Sequence, residues 1–253
     1  MSRFYTIIGI SVIVAATIIL TPFSNLHKSY LIGIELFALL AVLALGASRI
    51  NSQMFVRTIC RRNSENNRIA ITFDDGPHEI NTPGILEILQ KYDCSASFFI
   101  IGKKTENNED IVRDMFAAGH SIGNHSYEHS NLFPLLSGKK ITEDIAKTSD
   151  ILQGITGTKV KYFRPPFGVT NPRIYRGLRG SDLKVIGWSV RSFDTKNEEA
   201  GTVVKRITRR LKGGDIILLH DTSDHILDIL EKFMQEIEKS DLRPVALDTL
   251  FED

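Results

Sequence analysis

Cysteine is scarce in this sequence: Cys60 and Cys94 are the only two, they form no C-x-x-C pair, and neither stands near a chemistry-bearing motif. A disulfide between them is not supported; they read as unpaired or buried thiols and report no redox compartment. An excess of either charge is missing too. Lys+Arg is 31 and Asp+Glu is 30, so no global basic field points to nucleic acid, and partners must be read from local features. Low-complexity tracts and internal repeats are also lacking. What remains is 253 residues, enough for one large domain or for one domain with an appended segment.

The N-terminus does have long apolar runs. Phe4 to Leu20 and Tyr30 to Ala47 are each close to bilayer length and are separated by a short polar loop. A signal peptide followed by a buried helix fits less well, because Ser2-Arg3 is a thin basic region and no A-x-A site follows Leu20. Two transmembrane helices forming a hairpin are expected over 1–50, with Glu35 snorkelling to the interface. Arg49, Arg57, Arg61 and Arg62 follow the second run and favour a cytoplasmic C-terminal part, whereas a wall substrate needs the outside. The side of the membrane stays open. A linker is expected over 51–65 and a catalytic domain over 66–253.

Beyond the linker, short apolar runs alternate with amphipathic stretches of helical length. Strands are expected over Ile69–Asp74, Ala96–Ile101, His120–Gly123, Val160–Arg164, Lys184–Val190, Asp215–His220 and Pro244–Leu247. Proline at the first helical position in Thr82-Pro83 and Asn171-Pro172 marks two helix starts. The alternation implies an α/β fold, a distorted (β/α) barrel of about seven parallel strands in preference to an open doubly wound sheet. In either architecture chemistry belongs at the C-terminal strand ends. Asp74 and Asp75, His125 and His129, Arg164, Asp194 and His220 all fall on that rim.

In "HSYEH", His125 and His129 stand at i,i+4, which on a helical turn stacks two imidazoles on one face within reach of one cation. Asp75 can add an oxygen ligand while its neighbour Asp74 stays free to handle a proton. Two histidines and a carboxylate leave a position open for water, as in catalytic zinc sites, and the same set also suits non-haem iron.

The ordered motifs "TFDDGP", "HSYEH", "RPPFG" and "LLHD", spread from Arg68 to the C-terminus, resemble the signature of the polysaccharide deacetylases, the carbohydrate esterase family of nodulation, chitin and peptidoglycan deacetylases (the NodB homology domain). The resemblance implies a distorted barrel and metal-dependent hydrolysis of an acetyl group on a sugar. It makes Asp74 the general base, His220 the general acid, and Asp75, His125 and His129 the ligands of Zn2+ or another divalent ion. It makes Arg164 the group that holds Asp74, gives the backbone N–H of Phe167 to the oxyanion, and places Pro165, Trp188 and Leu218 around the substrate.

One motif departs from the family: "WSVRSFDTK" carries Arg191 where aspartate is familiar and Thr195 where tryptophan is. Asp194 can still pair with His220, raise its pKa and orient its ring. His78, His120, His225 and His27 read as structural or solvent-facing, and "KRITRRLKGG" as the wet face of a helix that can also offer cations to lipid or glycan phosphate. The expected substrate is an envelope polysaccharide bearing N-acetylglucosamine, or a lipid-linked saccharide, with membrane lipid as the second partner. The alternatives are an O-acetyl esterase on a polymer such as xylan and a silent membrane-anchored glycan-binding protein.

Overall fold

The computed structural model describes residues 2–62 and 67–252. The expected boundary between linker and catalytic domain, at 65 and 66, lies outside the described residues, as do Met1 and Asp253. Two helices open the chain, α1 (Ser2–Leu20) and α2 (Asn25–Ser48). Their 19 and 24 residues reach about 28 and 36 Å. A core helix of a soluble protein would hide its apolar side chains, yet the apolar windows of α1 and α2 are 0% and 6% buried. The second helix starts five residues before Tyr30, because Ser24 caps it by accepting from the N–H of His27. Glu35 does not reach for the interface as expected: it accepts a hydrogen bond from Ser11 of α1, which satisfies the carboxylate between the two helices.

The remainder is a half-barrel of parallel strands flanked by helices. In chain order these are β1 (Arg68–Gly76), α3 (Asn81–Lys91), β2 (Ser97–Ile100), α4 (Glu109–Ala117), β3 (Ser121–Asn124), α5 (Gly138–Thr156), β4 (Tyr162–Phe163), α6 (Pro172–Gly177), β5 (Lys184–Val185), β6 (Val190–Arg191), α7 (Ala200–Thr208), β7 (Ile216–His220), α8 (Ile226–Ile237), β8 (Arg243–Pro244) and α9 (Leu247–Phe251). Seven strands run parallel in the order β5-β4-β3-β2-β1-β7-β6, and β8 pairs with the start of β1. The run expected as one strand over Lys184–Val190 divides into β5 and β6. Between them Ile186 bridges Ile59, and the carbonyls of Ile186 and Gly187 turn to the Arg164 guanidinium. The run Pro244–Leu247 yields only a short strand before α9.

Period-two alternation sorts the two faces. Ile69, Ile71 and Phe73 of β1, Phe98 of β2, and Ile217 and Leu219 of β7 face the helices and form the main core with α3, α7 and α8. Helix α8 contributes Ile226, Ile229, Leu230, Phe233, Met234 and Ile237, one apolar face at helical spacing. The intervening residues Thr72, Asp74, Leu218 and His220 point the other way, into the hollow of the half-barrel.

Residues 51–62, within the stretch expected to link, pack against the barrel. Met54, Phe55 and Val56 are buried with Phe133, Phe163 and Ile174, and Phe4, Ile7, Leu43 and Ala47 of the hairpin pack on the same cluster. Gly46 permits that approach, since a Cβ there would fall 2.3 Å from the Met54 side chain.

Candidate active site

β1 delivers the two carboxylates in different directions because it bulges. Its register against β2 shifts between Asp74 and Gly76, and Asp75 takes a left-handed φ of 74°. Asp74 therefore follows the strand into the hollow, while Asp75 turns out along the rim. The bulge sits against Asp221, whose Oδ2 would lie 2.1 Å from a Cβ at Gly76, so glycine is required there.

The i,i+4 histidines meet as expected, but not on a helical turn. Residues 125–129 form a loop in which Ser126 and His129 have positive φ. Asn124 Oδ1 accepts from the Ser126 N–H at 2.8 Å, and Ser126 Oγ accepts from the His129 N–H at 3.1 Å. Those side-chain acceptors fold the loop, so a helix is unnecessary. The imidazole centroids end 4.8 Å apart. His125 Nδ1 lies 2.7 Å from the Arg164 carbonyl, which fixes Nδ1 as the donor and frees Nε2. Asp75 Oδ1 is 3.5 Å from His125 Nε2 and 3.4 Å from His129 Nε2. It is also buried without a hydrogen-bond partner among the described residues. An orphaned carboxylate oxygen facing two imidazole nitrogens, all within 4.8 Å of one another, fits a divalent cation.

Electrostatics support that reading. Burial works to raise the Asp75 pKa, but the imidazoles of His125, His129 and His220 hold it well below the usual carboxylate range. Burial, helped by His125, lowers His129 to about 4, so its ring is neutral near pH 7 with a lone pair available.

Arg164 fills the hollow. Fully buried, it stacks over the Phe99 ring at 4.1 Å and donates to Asp74 Oδ1 at 2.6 Å, Thr72 Oγ1 at 2.8 Å and the Gly187 carbonyl at 2.9 Å. Asp74 and His220 are register partners on β1 and β7, whose strands lie about 4.8 Å apart. His220 is anchored by Asp194 through its Nδ1 and its backbone N–H.

In the loop after β4, Pro165 is buried and Phe167 is 47% exposed with a φ of 59°; the Phe167 ring lies 4.7 Å from that of His129. Gly168 touches Trp188, as a Cβ on it would come within 2.4 Å of the indole. Leu218 is buried two residues before His220, on the same face. Every residue singled out on the rim is thus gathered at one end of the half-barrel.

The other histidines have structural partners. His78 Nδ1 accepts from the Asn81 N–H at the start of α3, His120 Nδ1 accepts from the Ala96 N–H, His225 pairs with Asn197, and His27 with Ser24. Cys60 and Cys94 are free and half-buried. Lys205, Arg206, Arg209 and Arg210 of "KRITRRLKGG" join Arg191 and Phe193 around a cleft of about 550 Å3 between β6 and α7.

Three groups escaped the sequence reading. Lys104 Nζ donates to the Asp75 carbonyl at 2.8 Å, Ser192 Oγ donates to Asp194 Oδ1 at 2.6 Å, and Asp221 is fully buried with its Oδ2 accepting from Thr82. Burial pushes the Asp221 carboxyl up to about 7, with Thr82 and Lys104 opposing. Of the three, Asp221 alone had a signal, because it closes the "LLHD" motif.

Residues 61–186 match the family model for polysaccharide deacetylase. The peptidoglycan-N-acetylglucosamine deacetylase PgdA of Listeria monocytogenes is 32% identical over 186 residues, which cover 74% of this chain and 39% of that protein. The chain thus spans about two fifths of that relative's length. Among solved structures, the Bc1960 peptidoglycan N-acetylglucosamine deacetylase is 30% identical with a TM-score of 0.72, over 76% of this chain and 91% of that one. BA3943 from Bacillus anthracis, described as a CE4 family pseudoenzyme, is 26% identical with a TM-score of 0.71, over 78% and 69%. A shared half-barrel, with about a third of the residues kept and the motifs in order on one rim, leaves a single assignment: the chain belongs to the polysaccharide deacetylase family.

Proposed function

We propose that this chain is a membrane-anchored, metal-dependent deacetylase that removes N-acetyl groups from N-acetylglucosamine units of an envelope glycan or its lipid-linked precursor. The observation that carries the reading is the buried, unpartnered Asp75 Oδ1 facing the Nε2 atoms of His125 and His129. The names of the PgdA and Bc1960 relatives favour the N-acetylglucosamine substrate. The proposed organisation is a hairpin over 1–50, a connecting stretch and a catalytic domain to the C-terminus. Membrane integration is supported by two exposed apolar helices whose domain-side ends carry Arg3 and Arg49.

When bound by Asp75, His125 and His129, a divalent cation such as Zn2+ supplies Lewis acidity to the acetyl carbonyl. Asp74, held and oriented by the Arg164 guanidinium, takes a proton from the attacking water. The backbone N–H of Phe167 donates to the acetyl oxygen as negative charge builds on it. An amine leaves poorly unless protonated, and His220, held by Asp194, gives it a proton as the C–N bond breaks. Trp188, Leu218 and Pro165 wall the acetyl group away from water.

The test is acetate release from an oligo-N-acetylglucosamine by the metal-supplemented full chain. Release that survives intact in Asp74→Asn or His125→Ala refutes the site assignment. Faster release from O-acetylated xylan than from the N-acetylated oligomer turns the reading to an esterase. Tight oligosaccharide binding without release, whichever metal is added, turns it to a silent glycan binder.

A further inference from the structure

The hairpin is bolted to the mouth of the candidate active site. The N–H of Thr170 donates to the carbonyl of Ala47, in the last turn of α2, at 3.0 Å. Thr170 stands three residues after Phe167, so their Cα atoms are at most about 11 Å apart. Phe167 in turn touches the candidate metal ligand His129. On the other flank, Phe133 is buried in the cluster that also packs Phe4, Leu43 and Ala47 from the base of the hairpin.

Phe133 is the buried centre of the loop "NLFPLL", which begins two residues after His129. Its neighbours Leu132 and Leu135 are 62% and 63% exposed. Loop mobility is not the reason, because the backbone is tied down: Asn171 Nδ2 donates to the Pro134 carbonyl at 2.6 Å, and Arg173 donates to that of Leu135. The loop therefore holds two large apolar side chains in the open, next to the end of a span. Lys139 and Lys140 follow within five residues of Leu135 and are exposed as well. Apolar tips flanked by cations are the composition of a segment that lies in the headgroup layer. That layer is roughly 5–7 Å deep on each side of the hydrocarbon.

We infer that the half-barrel is fixed with its active-site mouth at the bilayer surface, Leu132 and Leu135 dipping into the lipid interface, so that the site serves saccharides attached to the membrane in preference to free polymer. This rests on the reading of α1 and α2 as spans, and it deepens the proposed function by naming the physical state of the substrate.

The test uses the full chain in vesicles, with Cys60→Ser and Cys94→Ser to remove native thiols. One cysteine at a time, Leu132→Cys, Leu135→Cys, Leu40→Cys in the span or Ser240→Cys far from it, carries an environment-sensitive dye, and the lipids carry bromine near the headgroup end of the acyl chain. Dyes at 132 and 135 are expected to be quenched and the dye at 240 to stay bright. Quenching at 40 without quenching at 132 and 135 overturns the proposal and leaves the spans standing; no quenching at 40 overturns both. In a second arm, acetate release is measured from one oligo-N-acetylglucosamine, free or tethered to a vesicle lipid. The double variant Leu132→Glu, Leu135→Glu is expected to lower the ratio of tethered to free rate about tenfold. An unchanged ratio counts against the inference, whereas no release from either form by the unmodified chain sinks the deacetylase reading and leaves the dyes to decide the membrane contact.

Discussion

His220 Nδ1 lies 2.9 Å from Asp194 Oδ1, and the backbone N–H of the same histidine donates to Asp194 Oδ2 at 2.7 Å. A carboxylate gripped at both oxygens by one residue is both a structural pin and an electrostatic partner. It also answers the altered fourth motif. Arg191 occupies the place of the familiar aspartate, but its guanidinium turns outward over Phe193, and the carboxylate that pairs with His220 is that of Asp194.

The pair sets a pH dependence. Burial is the largest influence on His220 and lowers its pKa, but the hydrogen bond and charge of Asp194, with the charges of Asp74 and Asp75, outweigh it and leave it raised. The imidazolium that the proposed mechanism uses as acid thus persists to higher pH, and activity is expected to fall as pH rises through the raised value. Asp194→Asn removes the largest raising influence. The alkaline limb of kcat is expected to move about one unit to lower pH, with kcat itself down about 10- to 100-fold. A limb that stays where it was would show that another group sets it.

Arg164 is the next point of leverage, because it is a buried cation with a buried partner. Arg164→Met leaves Asp74 and the carbonyls of Ile186 and Gly187 without their guanidinium donor in the hollow, while Thr72 keeps its bond to the Ile217 carbonyl. Breaking such a pair from one side costs about 3–5 kcal/mol, read as a shift of the denaturant midpoint. Adding Asp74→Asn to Arg164→Met removes the uncompensated charge and is expected to restore part of the loss. A loss below about 1 kcal/mol for the single variant would mean that water reaches Asp74.

The metal assignment is testable without turnover. Dialysed against excess Zn2+ and then against buffer, the chain is expected to retain one ion. Asp75→Asn and His129→Ala are expected to weaken retention by at least about 100-fold while thermal unfolding of the metal-free protein changes little. Stoichiometric metal in both variants would place the ion elsewhere.

How far the sequence reaches can be read from single elements. β1 and β7 were legible because both of their faces are buried, which leaves a continuous apolar run, and the polar residues that end those runs are the ones proposed to carry the chemistry. The stretch from Lys184 to Val190 misled for the opposite reason: Val185 and Ile186 are buried, but Ile186 and Gly187 spend their carbonyls on Arg164 and not on a ladder. The i,i+4 histidines were legible as a pair but not as a loop, since the acceptors that fold it, Asn124 Oδ1 and Ser126 Oγ, are short polar side chains with no periodic signature. The contact between Ala47 and Thr170 was not legible at all. It is a backbone hydrogen bond between segments more than 100 residues apart, and spacing carries no information about it.

His120 offers a last prediction, away from the chemistry. Its ring is 5% exposed, tilts against Phe98 at 5.4 Å and accepts from the Ala96 N–H at 3.1 Å. Burial lowers its pKa to about 4, so the folded chain keeps the ring neutral where an unfolded chain would protonate it. Stability is then fully present above the unfolded value of about 6.5 and is lost as pH falls from there towards about 4, by up to roughly 3 kcal/mol from this residue. His129 titrates in the same direction, so the informative quantity is the difference between two proteins. Denaturant midpoints at pH 7 and pH 5 are expected to fall less for His120→Gln, which keeps an acceptor without a titrating ring, than for the unmodified chain. If both lose the same amount between the two pH values, the ring is not held neutral by burial and the acid sensitivity lies with His129 and its neighbours.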